Sequence, residues 1–140
     1  MPSLFAIAVM LAGAQDVASA TPSVDGVWAN PKNTVQVRTG QCGDKLCGWV
    51  VWASEKAKAD TAKKSSGPLI GTALLRDYKV SGKAQWAGQL FVPDMNSSFG
   101  STIALLNGQT LRVKGCILGG LICKSQDWHR VASANSMAAR

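Results

Sequence analysis

The chain has 140 residues, a formal charge of +7 at pH 7, 46% hydrophobic residues and four cysteines. That length supports one domain with a sizeable core and is too short for two. The basic excess would suit nucleic acid, but the Lys and Arg residues are scattered apart from a looser group at 56–64, and no phosphate-cradling glycine loop is present.

At the N-terminus, Leu4 to Ala12 form an apolar run followed by the small-x-small triplet Ala18-Ser19-Ala20, which reads as a signal peptide over residues 1–20 cleaved near Ala20. The run is too short for a spanning helix, which needs about 20 apolar residues. A buried N-terminal helix is the alternative, since the basic residue usual before such a run is absent. No cysteine follows at a lipid-attachment position, so the expected product is a periplasmic or secreted, untethered domain over 21–140. Loss of Asp16 raises its formal charge from +7 to +8. In that compartment nucleic acid is scarce, and a solvated surface or attraction to anionic envelope lipid or glycan accounts for the charge.

Along the mature chain, short alternating segments bounded by Gly, Asn, Asp and Pro predict strands at 26–30, 34–40, 46–53, 69–79, 84–92, 98–106, 109–117 and 122–131. In the second, Val35 and Val37 alternate with Gln36 and Arg38, giving one dry and one wet face. Such a pattern suits a closed barrel or a sandwich. Residues 54–67 have no apolar face at either period; a short solvated helix is permitted there, but nothing would anchor it, so the segment is expected to be a mobile basic loop.

Two hairpins can be registered. Folding about Gly119-Gly120 sets Leu118 against Leu121, Ile117 against Ile122, Cys116 against Cys123, Leu111 against Trp128 and Arg112 against Asp127. Apolar then meets apolar and opposite charges meet. For the preceding turn, a three-residue loop Leu106-Asn107-Gly108 is expected, with Gly108 left-handed and Ile103 facing Leu111. The first register brings Cys116 and Cys123 within disulfide reach, which leaves Cys42 to pair with Cys47. Zinc is the competing reading, but the C-x4-C and C-x6-C spacings are not zinc knuckles. No metal and no cofactor are expected.

Gly26-Val27-Trp28, Cys42-Gly43-Asp44-Lys45-Leu46-Cys47-Gly48, Gly71, Gly88, Pro93-Asp94, Gly115-Cys116 and Trp128-His129-Arg130 occur in an order that resembles the exported bacterial proteins grouped as domain of unknown function 2147. The resemblance spans the mature chain and implies an all-β, lipocalin-like fold: a single antiparallel up-and-down barrel of about eight strands. Over 54–68 the family's usual Asn-Pro dipeptide and Arg are missing, and the order around Pro93-Asp94 also departs, so nothing tied to those residues transfers. If the first and last strands close the sheet, Trp28 lies near Arg130, and the resemblance implies the same pairing as a structural cation–π contact.

Acid–base chemistry is poorly supplied. The single histidine, His129, alternates with Trp128 and so points outward; no free thiol remains, and the acids form no recognisable pair. No catalytic residues are assigned. Binding is better supplied, because Trp49, Trp52, Tyr78, Trp86, Phe91 and Phe99 lie on candidate strands and some must face the barrel interior. Barrels of eight strands either fill that interior or hold one small ligand. The expected function is a non-enzymatic binder of a small apolar or amphipathic molecule. The alternative is an envelope interaction protein contacting anionic lipid or glycan through Lys56, Lys58, Lys63 and Lys64.

Overall fold

The computed structural model describes residues 23–117 and 120–132. The signal peptide expected over 1–20 and the pairing of Leu118 with Leu121 lie outside the described residues. Eight strands follow in order: β1 (Gly26–Ala29), β2 (Val35–Cys42), β3 (Lys45–Ala53), β4 (Ala73–Gly82), β5 (Gln85–Val92), β6 (Ser97–Asn107), β7 (Thr110–Ile117) and β8 (Ile122–Arg130). A helix, α1 (Glu55–Ala62), separates β3 from β4, and one turn of 3-10 helix (Pro93–Met95) separates β5 from β6.

Every strand pairs antiparallel with the next, and β8 pairs with β1, so the sheet closes into an up-and-down barrel without free edges. Inward side chains such as Trp28, Val37, Val50, Leu75, Ile103 and Leu111 are fully buried. The two disulfides form as the register requires: Cys116 directly opposes Cys123, with 4.0 Å between their Cα atoms, and Cys42 joins Cys47 across 5.8 Å. On the same ladder Leu111 faces Trp128, while Arg112 and Asp127 form an exposed ion pair of 2.8 Å.

Two expectations are corrected. Residues 55–62 are helical: the Ser54 hydroxyl accepts from the Ala57 amide at 3.1 Å, and Glu55 occupies the first turn where the helix dipole favours an acid. The anchor is slight, a buried Thr61 and an Ala57 packed on the core, which is why no apolar stripe announces it. In the β6–β7 hairpin, Ile103 faces Val113 and Leu105 faces Leu111, with a bulge between Leu105 and Asn107. The turn is Gly108-Gln109, held by the Asn107 side chain accepting from the Gln109 amide at 2.7 Å. A bulge, rather than a longer loop, absorbs the extra residue and keeps the apolar side chains on one face.

The barrel's two ends differ. At the end where β1 starts and β8 finishes, the Arg130 guanidinium lies 4.3 Å from the Trp28 ring centroid. It donates to the carbonyls of Gly108 (2.6 Å), Asp25 (3.0 Å) and Ser23 (2.6 Å). The Trp28 indole donates to the Val24 carbonyl at 3.0 Å, and the Thr39 hydroxyl donates to the same oxygen at 2.6 Å. Residues 23–26 are thereby drawn across this end, and Val24 is buried. Gly26 has φ of 150°, and a Cβ there would collide with Arg130 Nη1. Arg130→Ala should lower unfolding free energy by about 2–4 kcal/mol in urea titration, and Arg130→Lys should recover little of it because an ammonium lacks the planar fork. Gly26→Ala should be similarly destabilising.

Candidate ligand pocket

α1, the 3-10 turn and the β7–β8 hairpin all lie at the opposite end, because the strands alternate direction around the barrel. A cavity of about 400 Å³ opens there. Its buried lining is Leu74, Val113 and Trp128, each less than 10% exposed; Leu90, Phe91 and Phe99 are partly buried beside them, and Met95, Ile117 and Ile122 complete the lining. This volume lies within the range of small-molecule sites, about 300–1,000 Å³. The polar lining comes from β8, where Gln126 and Lys124 alternate with outward Asp127, Ser125 and Cys123. The Trp128 indole donates to Gln126 Oε1 at 3.1 Å.

Of the six aromatic residues singled out by sequence, the cavity takes two, Phe91 and Phe99. Phe91 is steadied by the Arg76 guanidinium, 4.3 Å above its ring. Trp86 packs partly buried against the core. Trp49 alternates with core-facing Gly48 and Val50, which puts it on the outer face beside Gly40, and Trp52 is 37% exposed. Tyr78 is fully buried, its ring against Gly88, where any Cβ would lie 2.7 Å from Tyr78 Cγ. Sequence reasoning missed Trp128 as pocket wall, and with it Gln126 and Lys124. The signal was present, since the hairpin register that faces Trp128 with Leu111 also sends every second residue of β8 inward.

The lysines of 54–67 are largely engaged locally. Lys56 and Lys58 pair with Asp60 and Glu55 at 3.0 Å each, and Lys63 lies 3.9 Å from Asp60. Exposed pairs of this kind add little stability, but they partly neutralise the segment's charge. His129 is exposed on the outer face, both cysteine pairs are bonded, and among the described residues no group of three or more His, Cys, Asp or Glu could hold a metal. Among them, too, no helix is long and apolar enough to cross a membrane.

A closed eight-stranded antiparallel barrel, plugged at one end and hollow at the other, is the architecture of lipocalin-like proteins. The chain is similar in structure to protein HP1028 from the human pathogen Helicobacter pylori, which belongs to the lipocalin family: TM-score 0.65, 16% identity, covering 85% of this chain and 89% of that one. Residues 26–130 match the family described as uncharacterized protein conserved in bacteria (DUF2147), and the chain belongs to that family. No curated protein matches it.

Tyr78, the chain's one tyrosine, offers a readout of barrel integrity. Its hydroxyl is buried with no hydrogen-bond partner in reach among the described residues, and burial pushes its pKa up to about 12. The unfolded phenol loses its proton near pH 10. Stability should therefore be unaffected below that pH and fall as pH rises from about 10 to 12, where the unfolded state has released a proton that the folded state retains. Tyrosinate absorbance should appear in that upper range together with unfolding, and Tyr78→Phe should remove this component at little cost to neutral-pH stability.

Proposed function

We propose that the mature domain is a non-enzymatic, exported envelope protein that holds a small apolar or amphipathic molecule in the open end of its barrel. The observation that carries this reading is the cavity of about 400 Å³, walled by Leu74, Leu90, Phe99, Val113 and Trp128 and open at one end. An interior meant only to pack would have filled that volume, because protein cores close to near-crystalline density. The likeness to a lipocalin-family protein supports the same reading, and the two disulfides support an oxidising compartment.

The test uses N-phenyl-1-naphthylamine, a neutral apolar fluorophore that brightens when it leaves water. The protein should bind it, and Gly115→Val should weaken binding by roughly tenfold or more, by filling space beside Leu90. A Cβ at Gly115 would lie 3.4 Å from Leu90 Cδ2, at the edge of ordinary contact, and thermal unfolding of the variant beside the parent checks that weaker binding is not loss of the fold. No fluorescence gain with the parent protein, or an equal gain with Gly115→Val, would overturn the assignment.

A further inference from the structure

We infer that the molecule held in the barrel is an amphipathic anion, its tail in the apolar pocket and its carboxylate, phosphate or sulfate head against Lys124 and Gln126. This rests on the pocket being a ligand site and narrows what that site takes. The inner face of β8 runs from buried Trp128 through Gln126 and Lys124, both solvent-exposed at the open mouth, to Ile122, which is 44% exposed at the rim. A lysine needed only for solubility would stand on the outer face, as Lys114 does on β7. Lys124 instead sits one inward position below an apolar rim residue and is the one charged side chain lining the cavity among the described residues. It has no ion-pair partner among them, and no Asp or Glu lines the cavity.

The surroundings leave room for a head group. Lys124 is paired across the sheet with Gly115, and Gly115 with Ser101, so the two strands beside it contribute only small residues at its level, with Leu90 reaching over Gly115 from β5. Gln126 is oriented as well. An indole nitrogen can only donate, so the 3.1 Å bond from Trp128 fixes the Gln126 oxygen toward Trp128 and leaves its amide NH₂ as a free donor. Two donors, one charged, therefore flank a small-walled gap above an apolar floor, which matches an anionic head on an apolar tail. The competing account is a lysine whose stem merely covers the rim while its ammonium stays in water, and that account gives no preference among head groups.

The experiment displaces N-phenyl-1-naphthylamine with decanoate, decanol or decyltrimethylammonium, below micelle-forming concentrations and at a pH where the carboxylate is ionised. Decanoate should displace at roughly tenfold lower concentration than decanol, with the ammonium weakest. Lys124→Gln should bring decanoate to parity with decanol while leaving decanol unchanged, and Lys114→Gln should keep the preference. Equal displacement by all three, a preference for the ammonium, or a decanoate preference that survives Lys124→Gln would overturn the anionic head while leaving an apolar pocket standing. If the fluorophore does not bind, or none of the three displaces it, the pocket assignment falls and the head group with it.

Discussion

The barrel depends on a seam only two residue pairs long, Trp28 with Arg130 and Ala29 with His129. β1 is the shortest strand, and its backbone bonds to β8 are few, the Val131 amide to the Val27 carbonyl at 2.8 Å extending the seam past the ladder. Arg130 supplies what the ladder lacks. One guanidinium covers the Trp28 ring and reaches carbonyls on the β6–β7 turn and on the segment before β1. Residues 23–28, Gly108 and Arg130 are far apart in sequence, and they meet where β8 closes on β1. Without closure, β1 and β8 would each present unpaired backbone, the condition that favours strand addition and aggregation.

Closure also decides where empty volume can exist. At the plugged end Trp28 is fully buried, and the glycines at 48 and 88 let Leu75, Val37 and Tyr78 press directly on the sheet. At the other end Gly115 has a different effect: Leu90 comes no nearer than 3.4 Å to where a Cβ would sit, and Gly115 lines the cavity. Glycine in an inward strand position therefore permits either a tightly packed neighbour or a void, and the residue facing it decides which.

Much of the architecture was legible in the chain. The strand pattern, the Gly-Gly turn and the cysteine spacing lead to a ladder that the structure matches pair for pair from Ile117–Ile122 to Arg112–Asp127. The pocket was less legible, because aromatic content does not specify direction. Irregularities between Gln36 and Val37 and between Arg76 and Lys79 change the phase of strands that a simple alternation would carry straight through. Trp52 ends partly exposed and Tyr78 fully buried as a result. α1 was permitted by composition but set aside for a different reason: a serine cap, one buried threonine and Ala57 hold it, and none of these produces a hydrophobic period. Trp128 and Lys124 were within reach, since they follow from the one hairpin whose register the sequence fixes most firmly.

That hairpin has a bridge at the position next to Lys124. A strand that slips by one residue turns every side chain to the other face, and in β8 such a slip would trade Gln126 and Lys124 for Ser125 and Cys123 inside the mouth. The Cys116–Cys123 bond forbids the exchange, because opposed residues joined covalently cannot change partners. Its short loop limits what it can add to global stability. Its larger effect is on phase: it works as a pawl that lets the lip of the barrel settle in one setting only, with the lysine turned toward the cavity.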